Sequence, residues 1–287
     1  MSKLKKTGIK SNTQTKQPTS LTPEVKFPDL SSKHLHIMIP CYAGMLYEIT
    51  MRSLLDFLTV ATQCNLTVSL DTMGNESLIT RGRNNMMARG LHNWKTTTHF
   101  MFIDSDIRFN AIDIVNMITA DKDVIGGLYP KKGLPIDFNF NIKKPTSRVE
   151  NFLVEVETIA TGFLMFKKEV YEKLIEAYPE TKYIDDINLG KQYEPYMYAI
   201  FDTVIDEAGR YLSEDWTFCR RWQELNGDCW ADLRVLLGHY GTYQFQVNSQ
   251  EELLTALAAK GITINKPAEE VVAEEVIPEP TPVEATK

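Results

Sequence analysis

Short apolar runs alternate with longer amphipathic stretches along the first half of the chain. Four of the runs have the length and residue types of buried strands: 34–40, 66–70, 100–103 and 123–129. Between the first three runs, residues 45–63 and 76–94 repeat apolar positions on one helical face. This alternation predicts an α/β fold, in which helices cover both faces of a largely parallel sheet.

The second half of the chain has a less regular pattern. Its expected elements are a pair of strands at 154–156 and 161–166, helices at 167–178 and 215–226, and a last strand at 232–237. Residues 180–198 mix polar, aromatic and turn-forming residues and indicate a long loop, a kind of segment that is often functional. Ser249 and Glu252 have the spacing of a capping box, which predicts a short helix that ends at Gly261.

Both ends of the chain lack apolar periodicity. Residues 1–31 are rich in Lys, Thr, Ser, Gln and Pro, which predicts a disordered basic tail. Residues 266–287 are rich in Pro and Glu, which predicts a disordered acidic tail. A single folded domain is therefore expected over residues 33–261.

Composition narrows the class of protein. A hydrophobic content of 43% and a charged content of 24% are ordinary for a globular domain. The net charge of −7 argues against extensive coating of nucleic acid, although it does not exclude a local basic groove. The four cysteines lack the spacing of a zinc site and are expected to be reduced and packed. There is no transmembrane segment and no secretory signal in the sequence, so the cytoplasm is the expected location.

Two aspartates, Asp104 and Asp106, follow the apolar run 100–103 directly. In an open α/β sheet, ligands collect at the carboxyl ends of strands, and alternation along an extended chain would put both carboxylates on one side. Paired carboxylates suit Mg²⁺ or Mn²⁺ bound to phosphate oxygens. The structural alternative is acidic charge at a helix N-terminus, because Asn110 can cap the helix that follows.

A second acidic pair, Glu214 and Asp215, follows Ser213 at the predicted start of a helix. The helix N-terminus would keep these carboxylates ionised, which is the state that a general base needs. Favourable helix-end charge without any catalytic role is the competing interpretation.

Other polar residues are ambiguous when each is taken alone. Arg81 and Arg83 flank a glycine near a helix start and could clamp a diphosphate, or could lie on a solvated face. His239 follows the last predicted strand beside glycines and could be a third metal ligand, although a lone histidine is more often structural. The remaining histidines, in or beside apolar segments, are expected to be structural.

Taken together, these stretches resemble metal-dependent glycosyltransferases of the GT-A fold, and they are most similar to family-2-like glycosyltransferases of tailed bacteriophages. The matching segments are Ile39-Pro-Cys-Tyr42, Arg81-Gly-Arg-Asn84, Asp104-Ser-Asp106, Thr161-Gly-Phe-Leu-Met165, Glu214-Asp215 and His239, together with the runs at 75–81, 126–132 and 213–222. The resemblance spans about residues 33–247. It implies a Rossmann-like mixed sheet flanked by helices and a nucleotide-diphosphate sugar as donor substrate.

On the donor side, the resemblance implies one role for each matching residue. Pro40, Tyr42 and Asp71 would surround the nucleoside. Arg81 would lie near the diphosphate, with Arg83 as a second arginine whose role is less defined.

On the reaction side, the resemblance implies that Asp104, Asp106 and His239 hold Mn²⁺ or Mg²⁺ against the diphosphate. Asp215, with Glu214 beside it, would take the proton from the acceptor hydroxyl in an inverting displacement. The Gln-x-x-Arg-Trp motif of processive relatives is incomplete here, since residues 218–222 read Phe-Cys-Arg-Arg-Trp. Transfer of single sugars is therefore expected.

The sequence does not identify the acceptor. It could be a glycan, a protein or modified phage DNA, and the acidic composition of the chain disfavours DNA. The basic residues Lys131, Lys132, Lys143, Lys144 and Arg148 nevertheless cluster in sequence. Two other functions compete with glycosyl transfer: a nucleotidyl- or phosphotransferase, which lacks a Gly-rich phosphate loop, and an inactive sugar-nucleotide binder or phage accessory protein.

Overall fold

The computed structural model of the chain describes residues 26–142 and 147–262. Fourteen strands are defined within these ranges: β1 His34–Cys41, β2 Thr67–Gly74, β3 His99–Ile103, β4 Ile107–Arg108, β5 Val124–Gly127, β6 Phe140–Ile142, β7 Val149–Glu150, β8 Leu153–Ile159, β9 Phe163–Lys167, β10 Val204–Ile205, β11 Tyr211–Leu212, β12 Cys229–Asp232, β13 Gly238–Tyr240 and β14 Gln244–Gln246. Six α-helices accompany them: α1 Glu48–Gln63, α2 Ile79–Asn93, α3 Ala111–Thr119, α4 Lys168–Ala177, α5 Glu214–Glu224 and α6 Gln250–Ala259.

The central sheet has the strand order β2-β1-β3-β9-β5-β12-β8-β6, with β7 paired to β8. Strand β1 runs parallel to β2 and β3, and β5 runs parallel to β12, whereas β9 is antiparallel to both β3 and β5. One apolar cluster packs on each face of the sheet. The predicted fold class, a mixed α/β sheet flanked by helices, is confirmed.

Several predicted elements differ in detail. The strands expected as a pair, β8 and β9, do not pair with each other, because β9 inserts between β3 and β5. The last predicted strand, 232–237, is instead β12, which ends at Asp232 and is followed by a turn. Val235 and Leu237, which follow that turn, are fully buried, so their apolar character reflects burial rather than strand geometry.

Most of the two predicted tails lies outside the described residues. Residues 1–25 of the predicted basic tail, and the whole predicted acidic tail at 266–287, lie outside the described residues. Residues 26–31 are described, and Leu30 is buried with its N–H bonded to the Cys64 carbonyl oxygen at 2.7 Å. The predicted helix after Ser249 is present as α6, and the Ser249 side chain accepts the Glu252 N–H.

Candidate active site

The aspartates Asp104 and Asp106 follow β3 directly, where this strand and its parallel neighbour β1 reach their carboxyl ends. The chain forms a tight turn there, in which the Ile107 N–H donates to the Asp104 carbonyl oxygen at 3.2 Å. The expectation of an extended chain at this point is wrong, because the residues after β3 form a turn. The two carboxylates have different partners. Asp104 contacts the Arg83 guanidinium, whereas Asp106 contacts Lys132 and His239.

Arg83, in the second turn of α2, joins Asp104 to the second acidic pair. Its Nη2 donates to Asp104 Oδ1 at 3.0 Å, and its Nε donates to Glu214 Oε1 at 3.3 Å. The side chain is only 3% exposed. Burial by itself would lower the pKa of Arg83, but the two carboxylates more than offset it, so this pKa lies above its usual value. The family resemblance implies a clearer role for Arg81, yet it is Arg83 that lies between the two carboxylates.

Glu214 and Asp215 form the first turn of α5, as the sequence predicts, and Ser213 occupies the N-cap position. The Ser213 hydroxyl donates to Asp215 rather than capping the helix, and the Trp216 N–H donates to Asp215 Oδ1 at 2.8 Å. Burial raises the pKa of the Asp215 carboxyl, the Ser213 hydrogen bond opposes this, and the Glu214 charge raises it further. The net direction is opposite to the one that the helix N-terminus alone predicts.

A small sheet brings His239 to the acidic turn. Strand β13, which contains His239, is antiparallel to β4, and the Tyr240 N–H donates to the Asp106 carbonyl oxygen at 2.9 Å. His239 Nε2 then lies 3.5 Å from Asp106 Oδ1, and Nδ1 lies 2.8 Å from the Pro130 carbonyl oxygen. Residues 133 positions apart along the chain are thus held together by backbone pairing.

The surroundings of His239 fix the roles of its two ring nitrogens. A carbonyl oxygen can only accept, so Nδ1 carries a proton toward Pro130, and Nε2 is the nitrogen that faces Asp106. A carboxylate beside the Nε2 of a ring whose other nitrogen is bonded to a carbonyl is a pair of groups that can ligate a divalent cation. Within residues 26–142 and 147–262, no group of three or more His, Cys, Asp or Glu side chains is arranged to hold a metal ion. Asp106 and His239 therefore offer two ligands, while Asp104, the third predicted ligand, has its Oδ1 bound to Arg83.

Tyr129 and Gly162 lie between Asp104 and His239, and neither is among the predicted site residues. The Gly162 N–H donates to the Tyr129 hydroxyl at 3.1 Å, and the Tyr129 ring centroid lies 5.1 Å from that of His239. A Cβ at position 162 would lie 2.4 Å from the Tyr129 hydroxyl and 2.6 Å from Asp104 Oδ2, which only glycine avoids. Both residues occur in the matching sequence segments, so a signal for them was present.

The residues predicted around the nucleoside lie on β1 and β2. Pro40 is near the carboxyl end of β1, and Tyr42 follows in a 3₁₀ turn with its side chain 67% exposed. Asp71 lies within β2 rather than at its end, because the strand continues to Gly74. Burial raises the pKa of the Asp71 carboxyl, and the ion pair with Arg89 opposes this effect.

Arg81 lies in the first turn of α2 and is already bound by acidic residues of the chain. Its Nε lies 2.8 Å from Glu76 Oε2, and its Nη1 lies 3.6 Å from Asp186 Oδ1. Asp186 belongs to the long loop that the sequence predicts at 180–198. A diphosphate that used Arg81 would therefore replace at least the exposed Asp186 carboxylate.

A cavity of about 440 Å³ opens beside the start of α5. Its lining includes Asn139, Phe140, Asn141, Asp215, Trp216 and Lys260. Asp215 and Glu214 both line this cavity. Glu214 is in addition bonded to Arg83 and to the Thr161 hydroxyl at 3.2 Å. A larger cavity of about 580 Å³, beside the β10–β11 hairpin, has none of the predicted site residues in its lining.

The chain is similar in structure to several solved proteins. These include the viral protein A197 from STIV, at 16% identity and a TM-score of 0.45 over 76% of this chain and 95% of that one. They also include a glycosyltransferase involved in glycosylating the major capsid of PBCV-1, at 12% identity and a TM-score of 0.29 over 56% and 72%. A third is S. aureus TarS in complex with UDP-GlcNAc, at 16% identity and a TM-score of 0.30 over 57% and 53%. The sequence matches no protein-family model and none of the curated proteins.

No helix among the described residues is long and apolar enough to cross a membrane.

All four cysteines are buried and free of disulfides, so the prediction that they are packed is confirmed.

Proposed function

We propose that the protein is a glycosyltransferase that moves one sugar from a nucleotide-diphosphate sugar to an acceptor hydroxyl with inversion. The observation that carries this proposal is the convergence of two carboxylate-bearing segments with Arg83 and His239 at the carboxyl end of β3. Asp104 and Glu214 share the Arg83 guanidinium, Asp106 faces His239, and Asp215 borders a cavity. These groups separate into a side for a diphosphate and a side for an acceptor.

On the donor side, Asp106 and His239, with Asp104, would hold Mn²⁺ or Mg²⁺. The fit rests on His239 Nε2, which lies 3.5 Å from Asp106 Oδ1 while Nδ1 is bonded to the Pro130 carbonyl oxygen. Such a cation, when bound, offsets charge on the leaving diphosphate. Pro40, Tyr42, Asp71 and Arg81 remain the proposed contacts of the nucleoside and the diphosphate.

On the acceptor side, Asp215 would act as general base and Glu214 would act through its position. Glu214 is engaged by Arg83 and by the Thr161 hydroxyl, so its carboxylate is less available for proton transfer. The raised pKa of Asp215 brings this carboxylate closer to the basicity that proton abstraction near neutral pH requires. The acceptor oxygen would attack the anomeric carbon while the bond to the diphosphate breaks and the proton passes to Asp215.

The donor is tested by thermal denaturation with nucleoside diphosphates and their sugars, with and without Mn²⁺. A ligand at a hundred times its Kd stabilises the native state by about 2.7 kcal/mol, which is enough to shift the melting temperature measurably. We expect a Mn²⁺-dependent shift with one nucleotide, and its loss in Asp106→Ala. An absence of shifts with every nucleotide would favour the alternative of an inactive accessory protein.

The base is tested by Asp215→Asn with the donor so identified. We expect kcat to fall by about 10² to 10⁴, the range for loss of a general base, while donor affinity stays within about twofold. Asp56→Asn, an exposed change on α1, is the matched control and should leave both quantities unchanged. Unchanged kcat in Asp215→Asn would remove this residue from the mechanism.

A further inference from the structure

We infer that the acceptor is a carbohydrate whose terminal sugar occupies the 440 Å³ cavity beside Asp215. This inference rests on the proposed glycosyl transfer and chooses one acceptor class from the three that the sequence leaves open. It is carried by the chemistry of the cavity lining and by the pairing of the nearby basic residues.

The lining of the cavity combines aromatic rings with amide side chains. Trp216 and Phe140 are both partly exposed and provide apolar surface, while Asn139 and Asn141 provide amide donors and acceptors. A sugar ring has an apolar C–H face and a rim of hydroxyls, so it needs both kinds of contact. The volume lies in the range of about 300 to 1,000 Å³ that is usual for small-molecule sites.

The position of the cavity fits an acceptor rather than the donor. Asp215 and Glu214 form one wall of the cavity. Arg83 connects Glu214 to Asp104, which is not part of the cavity lining. A hydroxyl of a sugar in the cavity can therefore reach Asp215 while the diphosphate lies toward Asp104 and Asp106.

The basic residues near the cavity are paired with an acidic residue of the chain. Lys131 and Lys260 both pair with Asp137, and these two lysines lower the pKa of Asp137 to about 2. An acceptor rich in phosphate would need free Lys or Arg side chains, since phosphate contacts dominate nucleic-acid affinity. The cavity lining itself contains these two lysines and the two carboxyl groups of Glu214 and Asp215, so it has no excess of basic side chains and favours an uncharged ligand.

The basic cluster predicted from the sequence is likewise paired where the structure describes it. Lys132 is bound to Asp106, and Arg148 is bound to Glu155 at 2.9 Å and to Asp228. Lys143 and Lys144 lie outside the described residues. The described part of this cluster is therefore engaged within the protein, which disfavours modified DNA as the acceptor.

The test is saturation-transfer NMR of the full chain with a panel of methyl hexosides and methyl N-acetylhexosaminides, in the presence of UDP or GDP. A DNA duplex is the competing probe, followed by fluorescence anisotropy. The variants are Trp216→Ala, Trp216→Phe and Tyr211→Ala, the last being a matched control whose side chain is 75% exposed outside the cavity lining. Thermal shifts with UDP and GDP are recorded on every variant.

We expect one class of glycoside to bind the wild type, to bind Trp216→Ala about tenfold more weakly, and to recover in Trp216→Phe. Tyr211→Ala should bind like the wild type. Binding of no glycoside, glycoside binding that survives Trp216→Ala, or binding of the DNA duplex would overturn the inference. A nucleotide shift that persists in those cases leaves the proposed donor chemistry intact, whereas loss of every nucleotide shift counts against the proposed function itself.

Discussion

At the amino ends of β1 and β3 lie His34, His36 and His99, while the carboxyl end of β3 leads into Asp104 and Asp106. Both regions place polar groups next to the same apolar strands. The histidines meet hydroxyls: His34 Nε2 and His36 Nδ1 lie 2.9 and 2.8 Å from the Ser69 hydroxyl. The aspartates meet cationic groups instead.

The two regions reduce the cost of burial in different ways. Burial lowers the pKa of His36 and of His99 to about 4, so both rings are neutral at pH 7. The aspartates are instead paired with opposite charges, those of Arg83 and Lys132. Neutral rings bonded to hydroxyls have a fixed structural role, whereas a carboxylate paired with a partly exposed lysine, such as Asp106 with Lys132, can exchange that partner for a ligand. This difference separates a structural polar cluster from a candidate site.

The largest expected effect comes from removing Arg83, the buried cation of the region around Asp104 and Asp106, which we call the charged region. Arg83→Met leaves Asp104 and Glu214 as neighbouring carboxylates without their shared counter-charge, and breaking a buried pair in this way costs about 3 to 5 kcal/mol. Urea denaturation should show this loss in the free energy of unfolding. Arg52→Met is the control, because its pair with Glu48 is exposed and is worth about 0.5 kcal/mol at most. Equal losses in the two variants would contradict the comparison.

The region around His34, His36 and His99 should lose stability in acid. Because the folded-state pKa of His36 is about 4 and the unfolded value is about 6.5, the unfolded chain binds more protons between these values. Stability is therefore present above about pH 6.5 and is lost as the pH falls toward 4. Between pH 7 and pH 5, His36→Leu should lose about 2 kcal/mol less than the wild type in urea denaturation. Met38→Leu, a buried change in the same strand, should keep the wild-type pH dependence.

Local pattern made much of both regions predictable. The apolar run of β3 identified the strand, the two aspartates marked its carboxyl end, and Ser213 with the acidic pair marked the start of α5. The histidines inside apolar segments were expected to be structural, and the described contacts of His34 and His36 agree with that.

Contacts between distant segments were not predictable from pattern. Arg83 meets Glu214 across 131 positions, and Lys132 reaches Asp106 instead of joining a basic cluster. Such pairings depend on the strand order, in which β9 inserts between β3 and β5, and strand order is set by the packing of the whole sheet. The sequence pattern locates the aspartates at the end of a strand. It does not show which lysine, arginine or histidine will pair with each of them.

A smaller effect is expected where the charged region is packed most tightly. Gly162→Ala places a Cβ within 2.6 Å of Asp104 Oδ2 and closer still to the Tyr129 hydroxyl, so both side chains must shift. We expect a loss of about 1 to 2 kcal/mol in the free energy of unfolding, together with weaker donor binding in the thermal-shift assay. Gly133→Ala is the matched control, since no atom lies within 4 Å of its added Cβ. Equal behaviour of the two alanine variants would show that this packing does not matter to the site.

The smallest expected effect on stability comes from Lys132, whose ion pair with Asp106 is partly exposed. Lys132→Met should change the free energy of unfolding by less than about 1 kcal/mol, because such pairs contribute little in water. Its effect on cation binding should be larger in relative terms. Lys132 competes for the carboxylate that faces His239, so its removal should strengthen Mn²⁺ binding severalfold in calorimetry without nucleotide.

The adjacent lysine makes that last experiment specific. Lys131 has a similar exposure, but it pairs with Asp137 rather than with Asp106. Lys131→Met therefore removes the same charge from the same turn without freeing the proposed metal ligand. Tighter Mn²⁺ binding in Lys132→Met alone would mean that the charged region holds its cation in exchange for a ligand. Equal binding in both variants would mean that Lys132 only neutralises Asp106, and the contrast with the histidine region would then rest on Arg83.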